Sequence, residues 1–358
     1  MNKKIVSIYS MIHFIVDLSS AILVSNLVAQ KMGQGIELFI AIITYNFFAF
    51  AMQLPIGIIE DKVNKNAICS AIGCLFVAIA FGFTNIGIIA CLVAGIGNAM
   101  FHVGGGIDVL NICDKKATPS GIFVSTGALG IFLGSKSASI GFNKYYIVIM
   151  ILLLSAIALV WLYNQIKDNV KNEKILIPQI NKTEKIAILC LVITVIIRGY
   201  VSLILSFEWK SNFILALMAT FAVVLGKMIG GIIGDKIGFI KTSLISLIVS
   251  AFLFIFSFDN SVIGILAILF FNMTMPITLT ALSNILFNNK GMAFGLLSAS
   301  LFIGSIPVFF GYEKAIFNSV GLFIITILSA IILYIGIKNY YKIEEKKVWF
   351  LAWLSHYY

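Results

Sequence analysis

The chain has 358 residues, 60% of them hydrophobic and only 11% charged, with a formal charge of +10 from 25 basic and 15 acidic residues. Soluble domains run near 45–50% apolar and about 25% charged, so this composition excludes a cytosolic enzyme, a disordered tail and a secreted module. The apolar runs are long, contain few of the 5 prolines and do not alternate with polar positions as barrel strands do, which leaves an all-α polytopic membrane protein.

At ~20 residues per span, hydropathy predicts helices over 5–30, 36–59, 66–83, 85–107, 119–138, 144–163, 185–206, 211–233, 241–257, 261–285, 291–310 and 318–337. Lys3 and Lys4 ahead of the first run resemble the start of a signal peptide, but His13 and Asp17 interrupt that run, so it reads as a retained first span. Of the lysines between spans, 18 fall on the side of the N-terminus and 5 (Lys31, Lys136, Lys144, Lys210, Lys314) on the other. That asymmetry puts both termini in the cytoplasm of a multi-pass protein of the cell membrane. It also accounts for the basic excess as a topology signal, with no nucleic-acid partner implied. Four of the five cysteines (Cys69, Cys74, Cys91, Cys190) lie inside apolar runs and read as packing residues.

The chain divides into an N-terminal six-helix half (1–163), a cytoplasmic linker (164–184), a C-terminal six-helix half (185–338) and a tail (339–358). The tail mixes lysines with Trp349, Phe350, Trp353, Tyr357 and Tyr358, and reads either as lying at the headgroups or as disordered. A shift of 174 residues superposes Gly57-Ile58-Ile59-Glu60-Asp61-Lys62 on Gly231-Ile232-Ile233-Gly234-Asp235-Lys236, Asn98 on Asn272, Gly121 on Gly295 and Gly130 on Gly304. Two halves in the same orientation, with a site between them, are the expected architecture.

The segment from Gly57 through Asp61 and Lys62 to Lys65, repeated as Gly231, Asp235, Lys236 and Gly238, resembles the loop signature of the major facilitator superfamily, Gly-x-x-x-Asp-Arg-x-Gly-Arg. Lysine replaces its arginine, and Asn64 replaces its glycine in the first copy. His13-x-x-x-Asp17, Gly95-x-Gly97-x-x-x-Phe101-His102 and Gly121-x-Phe123 with Gly127, Gly130 and Gly134 are similar to the fosmidomycin-resistance branch of exporters in that superfamily. The resemblance covers roughly residues 10–135 and implies proton-coupled export through twelve helices, with helices 1, 4, 7 and 10 lining the cavity. The helix-5 Gly-Pro pair common among exporters is absent, since Gly134 precedes Ser135, which leaves the direction open.

Polar residues within spans mark the candidate site, because an ionisable group at bilayer depth costs ~2.5–3.5 kcal/mol and needs a cavity or a partner. His13 and Asp17 fall in helix 1, Asn98 and His102 in helix 4, Arg198 in helix 7, and Asn272 with Thr274 in helix 10. His13 and Asp17 are the candidate proton carriers, and Arg198, His102, Asn98 and Asn272 the candidate substrate contacts. Arg198 is the only arginine, and reads either as a clamp for an anionic solute or as an internal partner of Asp17. Lys227 reads as a cation near the cytoplasmic end of helix 8 that snorkels to the headgroups. Asp61 and Asp235 are candidate latches that oppose helix N-termini.

The function expected is a monomeric secondary active transporter that takes a small anionic or amphiphilic solute, with protons as coupling ion and membrane lipid around it. A lipid flippase of the same fold is the alternative. His13-x-x-x-Asp17 also matches an acyltransferase pattern, but no second catalytic cluster accompanies it, so no enzyme is expected. No zinc-site spacing, phosphate-binding loop or Gly-x-Ser-x-Gly occurs, so neither metal nor cofactor is expected.

Overall fold

A computed structural model describes residues 2–139, 141–166, 180–312 and 316–357, with side chains described to residue 345. Twelve membrane-length helices follow one another: α1 (Lys3–Met32), α2 (Ile36–Val63), α3 (Asn66–Phe83), α4 (Gly87–Ile112), α5 (Thr118–Ser135), α6 (Tyr145–Ile166), α7 (Lys182–Ile204), α8 (Phe213–Ile237), α9 (Phe239–Ile255), α10 (Ser261–Ile285), α11 (Lys290–Phe309) and α12 (Ser319–Tyr357). Ten of them are long and apolar enough to cross a bilayer by length and composition. Large apolar residues such as Leu154, Ile157 and Trp161 on α6 face outward, as a lipid-facing surface requires.

The predicted spans differ from the helices mainly at the ends. α4 runs on to Ile112, five residues past its predicted end at 107, which draws Asp108 into the helix. α12 extends as one helix to Tyr357, so the backbone of the tail is helical and not irregular. Most of the predicted linker (167–179), the loop lysine Lys314 and the side chains of the aromatic tail lie outside the described residues. Where polar caps exist they set the helix starts. Asn181 and Glu184 form a capping box at α7, and the amide oxygens of Asn212 and Asn260 accept backbone N–H groups at the starts of α8 and α10.

Glycines decide how closely the two halves meet. A Cβ on Gly57 of α2 would collide with the carbonyl of Gly291 on α11, and one on Gly231 of α8 would come within 2.6 Å of the carbonyl of Ala117 at the start of α5. Both contacts obey the 174-residue shift, since 231 − 57 and 291 − 117 each equal 174. Gly295 against the Gln53 carbonyl and Gly121 against the Lys227 carbonyl repeat the relationship. The weak sequence repeat is therefore a packing repeat, in which α2 meets α11 as α8 meets α5. Asn64, where the superfamily signature has glycine, is left-handed with φ 53°, and its counterpart Gly238 has φ 91°. Asparagine tolerates that region better than other residues with a side chain, which explains the departure.

Candidate functional site

The three small residues Gly127, Gly130 and Gly134 of α5 bring it against α1, because a Cβ at the latter two would strike the carbonyls of Phe14 and Leu18. That close approach fixes His13 and Asp17, one turn apart on α1, against α4 and α5. His13 Nδ1 lies 2.7 Å from the carbonyl oxygen of Phe123, and its ring packs on Phe123 and Phe101. Asn98 donates its amide to Asp17 Oδ1 at 2.9 Å, and His102 Nδ1 lies 2.8 Å from the carbonyl of Asn98. His13 Nε2 stands 2.8 Å from His102 Nε2 and 3.1 Å from Asp17 Oδ2, while His102 Nε2 is 3.7 Å from Asp17 Oδ1. Four predicted residues thus form one buried network.

The tautomers follow from the partners. A backbone carbonyl only accepts, so each histidine carries a hydrogen on Nδ1, and in a neutral ring its Nε2 is then a bare acceptor. Two such acceptors and a carboxylate oxygen converge here. The 2.8 Å between the two Nε2 atoms leaves a place for a shared proton or another cation, with the Asp17 carboxylate beside it.

Across the bundle, α10 is interrupted at Met273 and Thr274, just before Pro276, whose missing N–H breaks the helical hydrogen-bond ladder. Thr274 and Thr278 flank that break, and both hydroxyls accept from the guanidinium of Arg198, Thr278 at 3.1 Å. No carboxylate lies within salt-bridge distance of Arg198 among the described residues, so the alternative pairing with Asp17 is absent. Asn272 directs its amide to the Ile268 carbonyl at 2.8 Å, within its own helix and beside Gly226, and does not join the histidine cluster.

Lys227 differs from the snorkelling expectation. It is near the middle of α8, and its ammonium donates to the Val124 carbonyl at 3.0 Å, within electrostatic range of Asp17 and Arg198. The packing of α8 against α5 holds it at depth, with its own backbone carbonyl filling the space above Gly121. Sequence reading also missed Asp108. Buried on α4, it accepts the Tyr9 hydroxyl at 2.5 Å and the Asn66 amide at 2.8 Å. The run Gly104-Gly105-Gly106 just before it marks a closely packed helix and was the available signal.

The signature aspartates occupy equivalent places at the other contact between the halves. Asp61 accepts the backbone N–H of Gly291 at 2.7 Å and of Met292 at 2.8 Å, the second and third residues of α11. Asp235 accepts those of Ala117 at 2.7 Å and Thr118 at 2.9 Å, at the start of α5, and the Thr118 hydroxyl as well. Each carboxylate supplies acceptors that a helix N-terminus lacks. Lys62, Lys65 and Lys236 lie on the exposed side of these turns.

No protein-family model and no curated protein matches the sequence. Solved structures do match. The chain is similar to the E. coli fucose:proton symporter FucP (TM-score 0.64, 12% identity, 93% of this chain and 98% of that one). It is likewise similar to FucP in the outward conformation, described as a major facilitator superfamily transporter (0.63, 11%, 93% and 99%). A bacterial homologue of the iron transporter ferroportin in its outward-facing state matches as well (0.60, 12%, 94% and 98%). The chain therefore has the major facilitator fold, in a multi-pass membrane protein.

Proposed function

We propose that the protein is a secondary active transporter that couples a proton at the His13–Asp17–His102 cluster to movement of a small anionic or amphiphilic solute held by Arg198. The observation that carries this reading is the arrangement of charge. A cluster with room for one cation sits on α1 and α4, and two cations, the buried Arg198 and the half-buried Lys227, sit on α7 and α8 with no carboxylate in salt-bridge range among the described residues. Gain or loss of the cluster's proton changes the charge felt by Lys227, which in turn lies within electrostatic range of Arg198, and this links protonation to the binding of an anion. Asn98 holds Asp17, Thr274 and Thr278 aim Arg198, and Asn272 supports the α8–α10 contact beside them.

Alternation of access is assigned to the two halves (1–163 and 185–338) rocking about this site, with the Asp61 and Asp235 contacts as latches on the cytoplasmic side. The N-terminus is placed in the cytoplasm by the lysine asymmetry, and efflux is the direction implied by the exporter resemblance. The test begins with thermal stabilisation of the purified protein by phosphonates, organic acids and hydrophobic cations in parallel, since a ligand of the folded state raises the melting temperature as its concentration passes its Kd. Stabilising anions are then loaded into proteoliposomes under an imposed pH gradient. Uphill movement of an anion that stops when the gradient is dissipated supports the reading. A protein stabilised only by hydrophobic cations contradicts the anion assignment.

A further inference from the structure

We infer that His13, Asp17 and His102 form a binding site for a divalent first-row transition-metal ion of the zinc, cobalt and nickel class. Their donor atoms all lie within 4.8 Å of one another, although the residues are up to 89 positions apart in the sequence. A zinc-sized ion bound at ~2.0–2.2 Å places neighbouring tetrahedral donors about 3.3–3.5 Å apart. The separations here are 2.8 Å between the two Nε2 atoms, 3.1 Å from His13 Nε2 to Asp17 Oδ2 and 3.7 Å from His102 Nε2 to Asp17 Oδ1. The carboxylate meets the two rings through different oxygens, so it can reach an ion between them with either one, and the two Nε2 atoms must part by about half an ångström to reach that geometry.

The surroundings are those of a ligating shell. A metal-binding histidine donates its other ring N–H to a carbonyl or carboxylate, which fixes its tautomer and aims the lone pair. Both histidines do so, His13 to Phe123 and His102 to Asn98, and the Asn98 amide orients the carboxylate. Gly127 closes the set. A Cβ there would run into Asp17 Oδ2 and His13 Nε2, so the position beside the donors is open only because the residue is glycine. Two imidazoles and one carboxylate suit zinc, nickel, cobalt or ferrous iron more than magnesium or calcium, which take oxygen donors. The three ligands leave further coordination positions for water or an anionic solute. The inference goes beyond the transport reading and does not depend on it, because it concerns equilibrium binding.

The test uses the full-length protein without an affinity tag, purified in detergent and stripped with a chelator. Cobalt(II) is titrated in and the visible d–d absorption followed, with zinc binding measured in parallel by calorimetry. One cobalt ion per chain, displaced by zinc, is expected. His102→Ala and Asp17→Asn should each weaken binding tenfold or more. Gly127→Ala should do the same by displacing the donor atoms while every ligand residue is kept, and a melting temperature for each variant reports that it folds. Absence of a saturable band in the parent overturns the site. So does a band that survives unchanged in folded His102→Ala and Gly127→Ala, or one dominated by thiolate charge transfer from the cysteines.

Discussion

His13 and His102 point their Nε2 atoms at each other across 2.8 Å, while each donates its Nδ1 hydrogen to a backbone carbonyl. Two acceptors held face to face by the backbone offer a place to a cation, and Asp17 at 3.1 Å from His13 is positioned to answer its charge. Buried charge of this kind is tolerated in a membrane protein where it does work. Asp17→Asn keeps the shape and the contact with Asn98 but removes the counter-charge. The variant should fold and bind the anion with an affinity that no longer varies with pH, yet lose uphill transport under a pH gradient. Flux assays on inverted and right-side-out vesicles read both the loss and the direction.

Asp61 and Asp235 make the same contact on opposite halves, so they should act alike. Each carboxylate at a helix N-terminus stabilises by ~0.3–1 kcal/mol when exposed and up to ~2 when partly buried. Asp61→Asn and Asp235→Asn should each weaken cytoplasmic closure by up to about 30-fold, slowing transport more than they weaken binding. Labelling of a cysteine placed in the cytoplasmic half of the cavity measures the opening. Equal losses of binding and rate would assign these residues to the substrate instead.

The close crossing of α2 and α11 tolerates no side chain at Gly57. Its Cβ would meet the backbone of Gly291, which cannot rotate away. Gly57→Ala should cost ~1–3 kcal/mol through overpacking or force the latch open. Gly82→Ala is the control, because nothing lies within 4 Å of that position. Thermal unfolding of both variants in detergent checks the contrast.

Asn64 holds φ at 53° at the end of α2, where its repeat mate is Gly238. Asn64→Gly should therefore be close to neutral. Asn64→Val should lower stability by ~1–2 kcal/mol, since a β-branched residue pays the left-handed penalty in full. Unfolding midpoints of the two variants distinguish backbone strain from loss of the asparagine side chain.

Arg198 reaches Thr278 and Thr274 with separate nitrogens of its planar fork. Arg198→Lys keeps a charge but loses that geometry, and should weaken anion binding about tenfold or more while preserving expression and fold. Thr278→Ala should weaken it less, since one donor contact remains. Anion titrations followed by thermal shift give both values.

The fold was legible because hydropathy has a length scale, the bilayer, and because paired loops carried the same Gly-x-x-x-Asp-Lys pattern. The site was legible in part. His13, Asp17, Asn98 and His102 stood out by the cost of burying polar groups, and they do come together. Their metal-competent grouping was not readable, since no ligand spacing links positions 13 and 17 to 102, and only the glycine-tight contacts among α1, α4 and α5 bring them within reach. Asn272 has the same composition signal, yet its amide turns to its own helix, a choice set by local rotamer and packing. Lys227 looked peripheral because span ends were placed a few residues short, and its partner, a backbone carbonyl on another helix, leaves no mark in a sequence.

The central claim is that a proton at this cluster is tied to movement of a solute. The most direct measurement loads purified protein into liposomes with a trapped pH-sensitive dye and applies a gradient of the stabilising anion with no initial pH difference. Coupling predicts that the anion gradient drives proton movement in the parent and not in Asp17→Asn. Anion flux without any proton movement in the parent, or equal proton movement in the two proteins, would contradict the account.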